Sequence, residues 1–259
     1  MAGGVEMQKP FRLQPLGSVA TIGVREGLVA SIKENLEKVR ERIGRAAERA
    51  GRRPEEILLV AVSKMVPADR IREGITAGLS VLGENRVQEA KEKIQALGRG
   101  GASWHLVGHL QTNKVKDALG LFDLIQSVDR LSLAEELDRR ARAAGKRVDV
   151  LAQINVAAET SKSGFAPDEL RSALEALARL EGLRVRGLMA IPPEPQEPED
   201  SRPYFKTMRT LLETARGWRI PGLDLDALSM GMSADFEIAI EEGATIVRVG
   251  TAIFGPRPA

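Results

Sequence analysis

The sequence predicts an α/β protein built as a single (β/α)8 (TIM) barrel, and three observations carry that prediction. Eight short aliphatic segments of strand character alternate with segments of helical periodicity. The length of 259 residues is close to the roughly 250 typical of such barrels. The strand segments lack polar alternation, as parallel strands buried on both faces do. An open doubly wound sheet is the competing architecture, but the sequence contains no Gly-x-Gly-x-x-Gly opening of a dinucleotide fold.

Residues 26–50 set Leu28, Ile32, Leu36, Val39, Ile43, Ala46 and Ala47 on one stripe, the spacing of an amphipathic helix, and Gly51 stops it. The run ILLVAV over 57–62 predicts the first strand. Pro67 opens a helix over 67–77, and 79–82 reads as the second strand. A helix over 84–97 turns Val87, Ala90, Ile94 and Leu97 inward. Strands follow at 104–107, 121–126 and 148–156, separated by helices at 112–119 and 130–144. Helices at 167–180, 202–218 and 234–242 alternate with strands at 183–190, 225–229 and 245–249. The proline-rich stretch PPEPQEP over 192–198 has linker composition, yet the alternation resumes directly after it, so it reads as a loop on the barrel rim. Residues 1–25, rich in Gly and Pro and without periodicity, read as a flexible tail preceding a barrel over 26–259.

Composition narrows the function classes. With 43% hydrophobic residues the chain can bury a large core, and without cysteine it has neither disulfides nor a thiolate nucleophile. Lys+Arg 38 against Asp+Glu 36, interleaved, give no electrostatic case for nucleic acid. No run approaches the roughly 18 apolar residues of a membrane span, and Pro, Gln and Gly break the start of the chain where a signal peptide would need a continuous apolar stretch. A cytoplasmic protein without membrane partners is expected.

In a barrel, chemistry sits at the carboxyl ends of the strands. Lys64 shares strand parity with Leu58, Val60 and Val62. An amine in an apolar barrel mouth is desolvated and available for Schiff-base formation, although a strand-end lysine can equally snorkel to solvent. Arg248 interrupts the aliphatic strand Ile246-Val247-Arg248-Val249, so it must hydrogen-bond a ligand or pair internally with Glu84 or Asp235. Ser229-Met230-Gly231-Met232-Ser233 leads into a helix for which Ser233 is the expected N-cap. Together with Gly250 and Thr251 it sets glycines and hydroxyls after strands seven and eight, the usual barrel phosphate site. An amine, a lone cation and a phosphate cradle at one mouth are what pyridoxal 5'-phosphate (PLP) requires. His105 and His109 are four apart on a strand rather than a helix, so no metal site is expected. The charges Asp138-Arg139-Arg140 read as a solvated helix face.

Seven ordered motifs carry a resemblance over nearly the whole chain. They are AVSK ending at Lys64, GENRVQEAKEK from Gly83, WHLVGHLQTNK from Trp104, INVAAETSKSGF from Ile154, GLMAI from Gly187, LSMGMSADFEIAIEEGAT from Leu228 and VRVGTAIFG from Val247. In these the chain resembles the PLP homeostasis proteins, single barrels similar to the N-terminal domain of alanine racemase. The resemblance implies Lys64 as the Schiff-base lysine, Arg248 facing the pyridine nitrogen, and Ser229, Met232, Ser233, Gly250 and Thr251 around the phosphate. Asn85, His105 and Met189 would lie around the ring. It also implies a role in intracellular PLP homeostasis without established catalysis, with PLP-dependent apo-enzymes as partners and a monomer or weak dimer as the assembly. The alternative is a PLP-dependent amino-acid racemase or aldolase of the same fold. Two-base racemisation needs an acid/base on each face of the substrate, and only Lys64 offers itself as one.

Overall fold

The computed structural model describes residues 31–157 and 163–256. The expected tail 1–25, and the start of the first helix at 26–30, lie outside them. Eight parallel strands close into a barrel in sequence order, each hydrogen-bonded to the next and β8 to β1. The strands are β1 (Leu58–Val62), β2 (Val81–Glu84), β3 (Ser103–Leu106), β4 (Leu124–Val128), β5 (Val148–Ile154), β6 (Leu183–Ala190), β7 (Ala227–Ser229) and β8 (Ile246–Val249). Around them lie α1 (Ile32–Arg49), α2 (Ala68–Thr76), α3 (Val87–Leu97), α4 (Val115–Leu121), α5 (Leu131–Ala143), α6 (Leu170–Ala178), α7 (Arg202–Gly217), α8 (Phe236–Glu241) and α9 (Thr251–Phe254). No helix among the described residues is long and apolar enough to cross a membrane.

Strand parity divides the core in two. Val60, Val81, Val107, Leu124, Leu151, Met189 and Ile246 fill the barrel interior. Their chain neighbours Ala61, Leu82, Leu106, Ile125, Ala152, Leu188 and Val247 face outward and pack in the larger cluster under the helices. α1 begins on a capping box, with Ser31 Oγ accepting from the Glu34 N–H and the Glu34 carboxylate from the Ser31 N–H. Its stripe Ile32, Leu36, Val39, Ile43, Ala46 and Ala47 is buried as the periodicity predicts.

Four details differ from the sequence expectation, each for a local reason. β4 starts at Leu124 rather than 121, because Asp123 turns the corner by accepting the Trp104 N–H at 2.8 Å and the Ser103 hydroxyl at 3.0 Å. β7 keeps only three residues, and the Leu225 carbonyl before it accepts from Arg216 Nε at 2.7 Å. α9 follows β8, where the sequence reading had no helix. Asp138 is not on a solvated face: it is 7% exposed and accepts the Gly182 N–H at 2.7 Å, holding the turn before β6 against α5.

Candidate functional site

The interior of the barrel is aliphatic at its base and polar one layer above. Arg248 stands beside Val60 of β1 on one side, and its backbone N–H donates to the Gly231 carbonyl at 3.0 Å on the other. Its side chain points inward with the parity of Ile246. The guanidinium is buried, which pulls its pKa down to about 10, so it is still a cation at neutral pH. Neither Glu84 nor Asp235 pairs with it, contrary to the internal salt bridge weighed from sequence. Its terminal nitrogens donate to Ser229 Oγ at 2.5 Å and to the Ala190 carbonyl at 2.8 Å.

From Ser229 a chain of hydrogen bonds crosses the barrel to Gln126 Oε1 at 2.6 Å, and from Gln126 Nε2 to His105 Nδ1 at 3.0 Å. Its direction follows from donor counting. Arginine only donates, so the Ser229 hydroxyl must pass its own hydrogen on to the Gln126 oxygen. The Gln126 amide nitrogen then faces His105, which accepts at Nδ1 and carries its hydrogen on Nε2. Burial holds this imidazole neutral, lowering its pKa to about 4. Met189 lies fully buried in the same interior cluster. Gln126 was not singled out in the sequence. The signal was available: a lone amide in the aliphatic run Leu124-Ile125-Gln126, on the parity of the inward Leu124.

Two loops at the strand ends form the second part of the site. Gly231 takes φ 89°, and a Cβ there would come within 2.5 Å of Ala239 Cβ, so the turn after β7 packs flush on α8. Ser233 does not cap that helix. α8 starts at Phe236, and Asp235 Oδ1 instead accepts the Met232 N–H at 2.7 Å. The Ser233 hydroxyl accepts from the Gly250 N–H at 3.2 Å, which joins the loop after β7 to the start of α9. Met232, Ser233, Gly250 and Thr251 are thereby gathered at one place on the rim, with Thr251 exposed.

Lys64 follows β1, the strand next to β8, with the parity of the inward Val60. It is half-buried. Asn85 lies elsewhere on the rim, in a cleft of about 520 Å3 lined also by Arg86, His109 and Lys114. The backbone there is close-set, since a Cβ on Gly108 would meet the Asn85 carbonyl oxygen at 2.4 Å. His109 stands at the mouth against Asp129 at 2.9 Å, well apart in role from the interior His105. The structure thus joins Arg248, Ser229, His105 and Met189 in the interior, and Met232, Ser233, Gly250 and Thr251 on the rim.

Residues 30–258 match the model of the alanine racemase N-terminal domain family. The chain is 48% identical to a pyridoxal phosphate homeostasis protein of Aquifex aeolicus over 86% of its own length and 97% of that protein. The chain belongs to the pyridoxal phosphate homeostasis protein family. Among solved structures, this family member is similar to PipY of Synechococcus elongatus with PLP bound. The TM-score is 0.76 at 39% identity, covering 86% of this chain and 100% of that one. An alanine racemase of Clostridium difficile shares the fold, with a TM-score of 0.67 at 15% identity, and the homeostasis-family chain spans 58% of it.

Proposed function

We propose that the chain is a PLP-binding protein of PLP homeostasis, with Lys64 holding the cofactor covalently. The observation that carries this reading is the convergence of three features on the adjacent strands β7, β8 and β1. These are the buried, still cationic Arg248 anchored by Ser229 and Ala190, the rim joined by the Gly250–Ser233 bond, and Lys64, which follows β1 on the parity of the inward Val60. The donor set fits the group. PLP supplies an aldehyde that condenses with a primary amine, a ring nitrogen that accepts hydrogen bonds, and a dianionic phosphate.

In this reading the Ser233 and Thr251 hydroxyls and the backbone around Gly250 and Met232 hold the phosphate, and the Arg248 guanidinium faces the ring nitrogen. A cation that only donates keeps that nitrogen unprotonated, which suits retention of the cofactor better than carbanion chemistry. Met189 and the neutral His105 bound the ring from the interior, with Asn85 at its edge. We assign residues 26–259 to the binding barrel, the cytoplasm as its location, and PLP-dependent apo-enzymes as the receivers of the cofactor.

The test is to load the purified protein with PLP, reduce it with borohydride and map the modified peptide by mass spectrometry. The expected result is one adduct, on Lys64, absent from Lys64→Ala. An unmodified wild-type protein, or an adduct confined to other lysines, would overturn the reading.

A further inference from the structure

Lys64 continues the parity of the inward Val60, but what holds its backbone lies on the opposite, outward side of the sheet. Ser63 and Glu84 have the outward parity of Ala61 and Leu82, and both are fully buried. Lys93 of α3 reaches between them. Its ammonium donates to the Ser63 carbonyl at 2.5 Å, to Glu84 Oε1 at 2.7 Å and to Glu89 Oε1 at 2.6 Å, three acceptors for three hydrogens. The Ser63 hydroxyl donates to the same Glu84 oxygen at 2.6 Å, and the Met65 N–H donates to Glu89 Oε1 at 2.5 Å.

Both chain neighbours of Lys64 are therefore tied to one ion cluster. The tie matters because Met65 takes φ 60°, a left-handed conformation uncommon for a residue with a side chain, and the residue is 57% exposed. Side-chain packing does not hold Met65 there; the turn's own bond from the Val66 N–H to the Ser63 carbonyl at 2.9 Å and the bond to Glu89 do. The second Glu84 oxygen is buried without a hydrogen-bond partner, and burial raises that carboxyl's pKa against the pull of Lys93.

We infer that Lys93, Glu84 and Glu89 form a clamp behind β1 that fixes the Ser63–Lys64–Met65 turn and so presents the Lys64 amine to the barrel mouth. They are positioning residues, since none of them is on the interior face. This inference rests on the reading of Lys64 as the cofactor lysine, and its test separates the two.

Glu89→Ala is the mild variant, because Glu89 is only half-buried, and Glu89→Gln keeps an acceptor oxygen for the Met65 N–H. Two readouts are taken on folded protein: hydrogen exchange of the Met65 amide without PLP, and the rate at which added PLP forms the borohydride-trapped Lys64 adduct. Glu89→Ala is expected to lose protection at Met65 and to form the adduct about tenfold more slowly, as the loss of one charge-assisted bond implies. Glu89→Gln is expected to stay within about threefold of wild type. A Met65 amide in Glu89→Ala protected as in wild type, or an unchanged adduct rate, would overturn the clamp. Failure of the wild type itself to form the adduct would instead overturn the cofactor reading, and the Met65 exchange would still judge the tie.

Discussion

His105 shows how one buried side chain reports on the interior of the barrel. The residue is 5% exposed, and burial lowers its pKa from 6.5 to about 4. In the unfolded chain the same ring takes up a proton near pH 6.5, so between pH 6.5 and 4 the unfolded state holds the extra proton. Stability from this residue is present above that window and is lost as the pH falls through it, by about 3 kcal/mol across the full shift. Wild type is therefore expected to lose more melting temperature between pH 7 and pH 4.5 than His105→Gln, which has no ring to titrate. Parallel slopes for the two proteins would place the acid sensitivity elsewhere. Residues of this kind were legible in part. Lys64 and Arg248 stand out as cations in aliphatic strands, whereas Gln126 is a neutral amide at the edge of the expected strand 121–126 and gains its place only once the barrel sets it between Ser229 and His105. The Lys93 clamp was hidden for a different reason: Glu89 and Lys93 look like ordinary helix-surface charges, and Glu84 like a partner for Arg248, until the sheet places Ser63 against them.

At the scale of elements, the loop after β7 depends on a turn that only glycine makes cheaply. At Gly231 a side chain meets both a positive φ and the Ala239 methyl at 2.5 Å. Gly231→Ala is expected to destabilise the protein by about 2 kcal/mol and to speed the loss of PLP on dialysis, since Met232 and Ser233 move with the turn. Gly44 provides the contrast. It lies within α1 with nothing inside 4 Å of its would-be Cβ, so Gly44→Ala is expected to raise stability by up to about 1 kcal/mol and leave PLP retention unchanged. Denaturant midpoints at constant slope measure both. The existence and order of the strands and long helices were legible because hydrophobic periodicity is a property of the segment itself. The ends were not, since they depend on partners distant in sequence. Asp123 bonding to Trp104 delays β4, and Ser233 bonding to Gly250 leaves α8 to start two residues later than expected.

At the scale of the whole molecule, the barrel is closed by the two ends of the described chain meeting. β1 pairs with β8 through Leu58–Ile246 to Ala61–Val249, and α1 packs against both α8 and α9. The last of these contacts is the one no sequence pattern announced. α9 is a single turn, too short to show periodicity, and it owes its form to its seat, with Ile253 fully buried and its carbonyl accepting from Asn35 Nδ2 at 3.1 Å. That seat also carries the rim, because Gly250 and Thr251 are the first residues of the same turn. Closure of the fold and the proposed hold on the phosphate are thus expected to fail together. Ile253→Ala leaves a cavity between α9 and α1, which should lower stability by about 3 kcal/mol. The same change should weaken PLP binding although Ile253 faces away from the barrel mouth, whereas a comparable cavity under α5, from Leu137→Ala, should cost similar stability and leave binding intact. Equilibrium unfolding and PLP titration of the two variants side by side test this coupling, and equal PLP affinities would show that the Gly250–Ser233 bond holds the rim without help from α9.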